Sequence, residues 1–371
     1  MAVKAQQVFS VMEKLAPLSL AENWDNCGLQ IGSPGQEING ICVSLDVDEA
    51  LVDWVAKSEA NLIVTHHPLF FHDFKTINYD TVQGNLIRKL VSYGIAVYSA
   101  HTNLDSAPNG LNQYLAEKLE LKNIDVLGNM RMEKLYKLVV FVPDVHVEEV
   151  RQAINDSGAG FFGNYRDCSF RTPGTGTFRP LKGSQPYMGR RGILEQASEF
   201  RLETIVPEGI LQQTVAAMLK AHPYEEVAYD IYPLLNKGRA MSYGRIGELP
   251  RPLTMKNLAL RVKKKLNIEN VRGVGDPSRP LKKIALASGA GSSMIPIAIA
   301  EGCDALITGD IKYHEAKDVE ESGLVLLDAG HDSVEASMVD LVGEYLETAA
   351  EKGHWDISIS RRVAAPVFKC L

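Results

Sequence analysis

Apolar and polar residues along the first third of the chain follow a repeating order of strand-like and helix-like segments. Short β-branched runs are each followed by a segment whose apolar residues have helical spacing. The predicted strands are 41–46, 61–65 and 94–100, and the predicted helices are 1–15, 48–60, 79–93 and 109–119. Strands that alternate with helices in this way predict parallel β-α-β units.

This order changes in the middle of the chain and then returns. Two β-α-β units are predicted there, with strands 135–142, 200–206 and 227–233 and helices 147–157 and 212–221. They favour a small ferredoxin-like α+β domain. A glycine-rich stretch around 172–176 is interpreted as turns, because its glycines lack the spacing of a phosphate-binding loop.

The last third again alternates strands with helices. The strands are predicted at 283–288, 304–308 and 323–328. The helices are predicted at 254–266, from the glycines 289–291 to 301, at 311–321, and from after Glu335 to about 352. The chain is therefore predicted to form an α/β lobe (1–131), an inserted α+β domain (132–236) and a second α/β lobe (237–371). A length of 371 residues agrees with more than one core.

Composition and charge exclude several classes of protein. The chain is 45% hydrophobic and 23% charged, which is typical of a globular protein. Its net charge of −7 argues against a generic nucleic-acid binder. The five cysteines show no paired spacing, which fits a reducing compartment. No segment resembles a signal peptide or is apolar for long enough to cross a bilayer, so we expect a cytoplasmic protein.

The strand predicted at 61–65 ends in two adjacent histidines, His66 and His67. Neighbouring side chains of a continuing strand point to opposite faces. At a strand end, where the backbone turns, they can diverge onto two metal ions or converge on one. Imidazole is the commonest metal ligand, but an isolated His-His pair is more often a loop feature. Whether the pair binds a metal therefore depends on further ligand-type residues elsewhere in the chain.

The two α/β lobes resemble each other, and this duplication supplies such partners. The strands 41–46, 61–65 and 95–100 correspond to 284–288, 305–308 and 324–328. Each lobe then carries a His-x-x-x-carboxylate just past a strand, His101 with Asp105 and His331 with Glu335. Asp310 also follows a strand. Because open α/β sheets bind ligands outside the carboxyl ends of their strands, these residues together predict a metal site.

The donor types restrict the metal. Histidines and carboxylates without thiolates suit Zn, Mn or Fe. Five or more ligands exceed what one tetrahedral ion takes, so two ions with a bridging carboxylate are expected. Helix capping or interaction with the helix dipole is the alternative role for Asp105 and Glu335. Trp24 is interpreted either as an aromatic anchored under a turn or as a ligand contact.

Several motifs together resemble the NIF-three-like family, which is also known as the type-two homologue of GTP cyclohydrolase I. They are Trp24-Asp25-Asn26, Thr65-His66-His67-Pro68, His101-Thr102-Asn103-Leu104-Asp105, Thr308-Gly309-Asp310 with His314, and Gly330-His331-x-x-x-Glu335. The middle segment resembles the PII-like or CutA-like domain inserted in longer bacterial members. One departure is Asp332, where many relatives have an aromatic residue, and we expect it to alter the pocket but not the number of metal ions.

The resemblance implies a fold, a metal centre and an assembly. The fold would consist of two related α/β lobes with the inserted ferredoxin-like domain. The assembly would be a toroidal homohexamer with its sites facing an inner cavity. The centre would hold two divalent ions, with zinc expected ahead of manganese or iron. Its ligands would be His66, His67, Asp105, His331 and Glu335, with each of the adjacent histidines on a different ion and Glu335 as the bridge.

Three more residues are candidates for acid–base or supporting roles. The family leaves His101 outside the direct ligands, so it is expected to orient a ligand or act on substrate. Asp310 and His314 are expected to have the same kinds of role. His314 is interpreted equally well as a surface or capping histidine.

Two functions from different classes follow. The first is a metal-dependent hydrolase of a nucleotide-like or heterocyclic small molecule, GTP cyclohydrolase-like by resemblance. A two-metal site suits a phosphoesterase or amidohydrolase equally, and neither fold nor metal selects a substrate. The second is a non-catalytic metal-binding ring scaffold whose PII-like domain senses a small ligand. A DNA-binding regulator is disfavoured by the acidic charge.

Overall fold

The computed structural model describes residues 2–72, 75–128, 131–363 and 367. The chain divides into two compact units. Unit 1 comprises residues 1–130 and 241–371, and unit 2 comprises residues 131–240. Both predicted α/β lobes lie in unit 1, and the predicted insertion lies in unit 2 with its boundaries shifted by a few residues.

The strands of the described residues are numbered here in chain order. They are β1 Val3–Lys4, β2 Gly28–Ile31, β3 Glu37–Ile38, β4 Gly40–Ser44, β5 Leu62–Thr65, β6 Ala96–Ser99, β7 Lys122–Val126, β8 Arg131–Met132, β9 Leu135–Pro143, β10 Ser169–Phe178, β11 Glu195–Pro207, β12 Tyr229–Leu234, β13 Ala240–Met241, β14 Gly244–Leu253, β15 Arg272–Val274, β16 Leu281–Ala290, β17 Ala305–Gly309, β18 Val325–Asp328 and β19 Ser358–Arg362.

The α-helices of the described residues lie between these strands along the chain. They are α1 Ala5–Leu15, α2 Glu49–Val55, α3 Val82–Ser92, α4 Thr102–Ser106, α5 Leu111–Lys118, α6 Val147–Asp156, α7 Leu211–Ala221, α8 Met255–Leu266, α9 Ile295–Ala300, α10 Tyr313–Ser322, α11 His331–Glu335 and α12 Ser337–Gly353. In the described part of the chain, no helix is long and apolar enough to cross a membrane.

Unit 1 contains two larger sheets among its described residues. One has the order β19-β4-β5-β6-β2, and the other has the order β15-β18-β17-β16-β14-β7. Strands β4, β5 and β6 run parallel as neighbours, and so do β16, β17 and β18. These two trios are the strands related by the duplication in the sequence. In each trio the carboxyl ends meet at one edge, where the histidines lie.

One hydrophobic core joins the two sheets of unit 1. It includes Leu62 and Val64 of β5, Leu286 of β16, Leu327 of β18 and Leu346 of α12, all buried. The parallel strands are covered on both faces, which is why they appear in the sequence as continuous apolar runs. Because the lobes bury apolar surface against each other, they form one compact unit.

Unit 2 is a four-stranded antiparallel sheet with two helices. The sheet has the order β10-β11-β9-β12, and α6 and α7 follow its first and third strands. This is the β-α-β-β-α-β arrangement of ferredoxin-like domains. Val140, Val142 and Leu202 of the sheet pack with Val150 and Ile154 of α6. The more specific likeness to PII or CutA stays a prediction.

The structure corrects the interpretation of residues 172–176 as turns. They lie in β10, which pairs along its whole length with β11. β10 is an edge strand of the four-stranded sheet, where Pro173 and the neighbouring glycines are tolerated because no further strand needs the proline's missing N–H. Because glycine and proline are typical of turns, the sequence did not predict this strand.

The described cysteines Cys27, Cys42, Cys168 and Cys303 are free thiols. Cys42 and Cys303 are buried among apolar residues. Cys370 lies outside the described residues.

Candidate metal centre

A backbone turn at the end of β5 brings His66 and His67 to the same side. The amides of both histidines donate to the carbonyl of Leu45, at 3.2 and 3.1 Å. The Thr65 hydroxyl donates to the carbonyl of His67 at 2.9 Å. These bonds end the extended conformation, so the two rings do not alternate between faces. Their centroids lie 5.4 Å apart.

Two short helices deliver the other predicted ligands. His101 immediately precedes α4, which contains Asp105, and His331 opens α11, which ends in Glu335. Residues four apart lie on the same face of a helix, so each carboxylate follows its histidine toward the same region. Asp105 and Glu335 are both buried. The two His-x-x-x-carboxylate segments thus occupy corresponding places in the two lobes.

Four imidazole rings are held from behind by oxygen atoms. Each Nδ1 lies within hydrogen-bond distance of one oxygen: His66 of the Ala100 carbonyl (2.8 Å), His67 of Asp46 (2.7 Å), His101 of Asp25 (2.9 Å) and His331 of Asp310 (2.8 Å). When Nδ1 donates its proton to such an oxygen, the lone pair is left on Nε2. Histidines that bind metals in proteins are almost always supported in this way.

The Nε2 atoms converge on two buried carboxylates. Those of His67 and His331 lie 2.9 and 3.0 Å from Oε2 of Glu335. That of His66 lies 3.6 Å from both Oε1 of Glu335 and Oδ1 of Asp105. The ligand atoms of His67, His331 and Glu335 all lie within 4.8 Å of one another, and so do those of His66, His67 and His101. These groups could hold a metal ion.

The nitrogen Nε2 of His66 supplies the strongest test of that fit. It is buried and has no hydrogen-bond partner among the described residues. An unsatisfied buried polar atom costs about 1–3 kcal/mol. Two ligands of one tetrahedral zinc ion lie about 3.4 Å apart, given metal–ligand distances of about 2.1 Å. The separation of 3.6 Å to each carboxylate is therefore what a shared ion would produce.

The electrostatics of the cluster point in the same direction. Burial lowers the pKa of His67, but hydrogen bonds to Asp46 and Glu335 outweigh it and bring the pKa to about 10. The hydrogen bond to Glu335 raises the pKa of His331 to about 9, against the effect of burial. Burial raises the pKa of Glu335, but the surrounding imidazoles lower it by more, so the pKa lies well below its ordinary value. Burial also raises the pKa of Asp105. Both carboxylates thus strongly favour positively charged groups beside them, and a divalent ion would satisfy this preference.

Asp105 is positioned by residues that the sequence did not single out. The Ser288 hydroxyl donates to Asp105 Oδ1 at 2.8 Å. Asn112 donates to the same hydroxyl at 2.9 Å and accepts from the Ser288 amide at 2.7 Å. The end of β16 is thereby joined to α4 and α5. The only sequence signal for this role was the position of Ser288 at the end of a predicted strand.

Asp25 has an equally central role that sequence reasoning left unassigned. Its carboxylate accepts hydrogen bonds from the backbone N–H groups of Asn26 (2.8 Å) and Thr102 (3.1 Å). It also accepts from the Thr102 hydroxyl and from Cys27 Sγ (3.0 Å), and it pairs with His101. Burial opposes ionisation, but these bonds lower its pKa well below the ordinary range. Asp25 is therefore an ionised anchor for the His101 ring.

The remaining predicted residues have different positions. Asp310 supports His331 and adopts a left-handed backbone conformation with φ 55°. His314 is exposed on α10 beside the Tyr313 ring and belongs to neither group of converging ligand atoms. Trp24 is 61% exposed and lies edge-on to His101 and next to Phe71, so it forms an aromatic rim and is not anchored under a turn.

Comparison with protein families decides the relationship of the chain. A model described as Duf34/NIF3 (NGG1p interacting factor 3) matches residues 3–365. The chain belongs to the Duf34/NIF3 family. Among curated relatives, a protein of Halalkalibacterium halodurans is 41% identical over 354 residues, which cover 95% of each chain. One of Bacillus subtilis is 43% identical over 329 residues, 89% of this chain and 88% of the relative. Both are named GTP cyclohydrolase 1 type 2 homolog.

Solved structures of similar proteins have the same fold. A Bacillus cereus protein related to NIF3 superposes with a TM-score of 0.88 at 39% identity, over 100% of both chains. The Staphylococcus aureus protein SA1388 does so with a TM-score of 0.75 at 27% identity, over 100% of this chain and 99% of that chain. The family and mixed α/β class predicted from the sequence motifs are thus confirmed.

Proposed function

We propose that the cluster holds two divalent metal ions. His66, Asp105 and Oε1 of Glu335 would bind one ion, and His67, His331 and Oε2 of Glu335 the other, so that Glu335 bridges them. The partnerless Nε2 of His66, buried and 3.6 Å from two carboxylates, is the observation that carries this proposal. Zinc suits the donors best, with manganese or iron as alternatives.

We propose further that the centre hydrolyses a nucleotide-like or heterocyclic small molecule. Divalent ions supply Lewis acidity, which polarises a carbonyl or phosphoryl group and makes water more acidic. Beside them, Nε2 of His101 would exchange a proton with the substrate, while Asp25 stabilises the charged ring. The rings of Trp24 and Phe71 would contact a flat substrate. The relatives' name is consistent with a nucleotide.

Metal content tests the ligand set directly. Elemental analysis of protein purified without chelator should give about two ions per chain. Glu335→Gln keeps the shape of the side chain but removes the charge shared by both ions, so it should retain at most one. The exposed Glu351 provides the matched control, and Glu351→Gln should retain both. Full occupancy in Glu335→Gln would contradict the bridge.

Turnover separates an enzyme from a binding scaffold. Metal-loaded protein and His67→Ala would be assayed for formate release from GTP and for hydrolysis of a panel of phosphoesters. Metal-dependent turnover that His67→Ala abolishes supports the hydrolase. Intact metal binding without turnover on any substrate supports the non-catalytic scaffold, in which unit 2 would be the ligand-sensing part.

We also propose that the protein assembles as a homohexamer, as the family resemblance implies. Sedimentation velocity should give a species of six times the 40.8 kDa chain mass. A monomer or dimer at micromolar concentration would contradict this assembly.

A further inference from the structure

Unit 2 contains a cavity of about 990 Å³ on one face of its sheet. Glu199 and Arg201 of β11 line it, whereas Phe200 and Leu202 point into the core formed with α6 and α7. Because neighbouring side chains of a strand alternate between faces, the cavity lies on the face opposite the two helices. Residues 180–184 and 186–188 of the connection between β10 and β11 contribute to its walls.

Aromatic rings form one side of this cavity. The ring centroids of Tyr187 and Tyr224 are 5.9 Å apart, and those of Phe178 and Tyr224 are 6.1 Å apart. The Tyr187 hydroxyl lies 2.9 Å from Nε2 of His146, which fixes the ring in place. The Gln185 backbone N–H donates to the Glu225 carboxylate at 2.7 Å and holds the connection over the sheet. The cavity thus presents ordered π surfaces.

The carboxylate of Glu199 lies in the same cavity and forms no ion pair with any of the described residues. Glu199 is only 8% exposed, and among the described residues the Tyr224 hydroxyl, at 2.9 Å from Oε1, is the one side-chain group that donates to it. Four residues along the same face, Glu203 pairs with Lys137 and Arg201 at 3.4 and 2.9 Å. Burying an ionised carboxylate without a compensating charge is costly.

No group of the described residues donates a hydrogen bond to the second oxygen of Glu199, Oε2, since the Tyr224 hydroxyl donates to Oε1. A Cβ at position 176 would lie only 2.0 Å from Oε2, so the carboxylate extends over bare backbone at Gly176. Two arginines that line the cavity are engaged elsewhere, since Arg201 pairs with Glu203 and Arg179 donates to the carbonyl of Gly192 at 3.2 Å. Among the described residues, this acceptor beside the aromatic rings forms no ion pair, although Lys182 also lines the cavity.

We propose that unit 2 binds a small, flat organic cation in this cavity. An amidinium or a protonated amine of the ligand would pair with Glu199, and its ring would contact Tyr187 and Tyr224. Charged N–H groups bind carboxylates strongly, and aromatic faces attract cations through their quadrupole. None of these residues belongs to the proposed metal centre, so the proposal does not depend on metal binding or turnover.

Benzamidine is a suitable probe because it is a flat amidinium, and benzoate has the same shape with the opposite charge. Calorimetric titration of the full-length protein should show saturable benzamidine binding with a dissociation constant of about 1 mM or tighter, and no binding of benzoate. Glu199→Gln should weaken benzamidine binding at least about tenfold. Glu208→Gln, just after the end of β11, should leave benzamidine binding unchanged.

Equal binding of benzoate, or unchanged benzamidine binding by a folded Glu199→Gln protein, would overturn the proposal. A second pair of variants guards against misfolding of Glu199→Gln. Tyr187 is 50% exposed, so its replacement should not disturb the core. Tyr187→Ala should weaken benzamidine binding several-fold, whereas Tyr187→Phe, which keeps the ring but loses the hydroxyl's bond to His146, should weaken it less. Equal binding by these two variants would also contradict the proposed site.

Discussion

At the scale of single residues, the hydrogen bonds behind the four imidazoles fix which nitrogen faces the carboxylates. Three of these bonds go to Asp25, Asp46 and Asp310, and the fourth goes to the Ala100 carbonyl. A carboxylate behind a histidine orients its ring and makes it a better donor to a metal. The supporting aspartates should therefore matter almost as much as the proposed ligands.

Asp46→Ala should lower metal affinity by a factor of about 10–100, because His67 would lose its orienting carboxylate. Competition with a chromophoric zinc chelator would measure the change. Asp318→Ala, which removes an exposed carboxylate of α10, is the control and should have no effect. Unchanged affinity in Asp46→Ala would show that the ring is positioned by other contacts.

Asp25 should contribute to stability in a pH-dependent way. Its pKa in the folded protein is depressed below the ordinary 3.8, so its contribution is complete above that value and is lost as the pH falls further. Asp25→Asn should lower the free energy of unfolding by about 1–3 kcal/mol at pH 7. The difference from the parent should be the same at pH 5.5 and should shrink below pH 4 in urea titrations. A difference that grew with acidification would contradict this account.

The sequence allowed the converging ligand types to be predicted but not their supports. His66, His67, Asp105, His331 and Glu335 follow strand ends, and strand ends can be recognised from apolar patterning. Asp25 is 76 positions from the histidine that it holds. No local spacing connects such a pair, since only the folded chain places the loop before β2 beside α4.

At the scale of elements, close approach between the end of β17 and the start of α11 shapes the centre. A Cβ at Gly309 would lie 2.6 Å from the His331 amide nitrogen and 2.8 Å from its Cα. Backbone cannot move aside as a flexible side chain can. Glycine at this strand end therefore sets the position of His331.

Gly309→Ala should consequently reduce metal binding as well as stability. We expect α11 to shift, with loss of at least one ion and a decrease of about 1–3 kcal/mol in the free energy of unfolding. Gly302→Ala is the control, because φ there is +66° but nothing lies within 4 Å of the added Cβ. It should lower stability by about 1–2 kcal/mol through backbone strain alone and retain both ions. Elemental analysis and urea denaturation would distinguish the two variants.

Elements were predictable where burial dictated residue type. The four residues of β5 and those of β18 are all buried, so both strands appear as apolar runs. β10 is exposed along most of its length and is rich in threonine and glycine, so it lacked that signal. Its strand conformation comes from pairing with β11, a partner that local patterning does not reveal.

At the scale of the whole molecule, the proposed metal ligands and all three tryptophans belong to unit 1. A ligand that binds only the folded state stabilises it by about 4 kcal/mol at a thousand times its dissociation constant. Chelation should therefore move the unfolding transition followed by tryptophan fluorescence to a lower urea concentration. Re-addition of zinc should restore it. A transition that chelator leaves unchanged would argue against a metal centre in unit 1.

The position of unit 2 within the chain has a consequence for the order of folding. Leu127 and Gly244, on either side of it, are joined by a backbone hydrogen bond of 3.0 Å next to the β7–β14 pairing. Within unit 2, the Glu133 amide donates to the Arg239 carbonyl at 2.9 Å, so the two ends of unit 2 are adjacent.

Pairing β7 with β14 in an unfolded chain must close a loop of more than a hundred residues, and the entropic cost rises with loop length. If unit 2 folds first, only residues 128–132 and 240–243 remain to be closed. Refolding of unit 1 should therefore await unit 2, and a destabilised unit 2 should slow the recovery of tryptophan fluorescence without changing the native state that it reports.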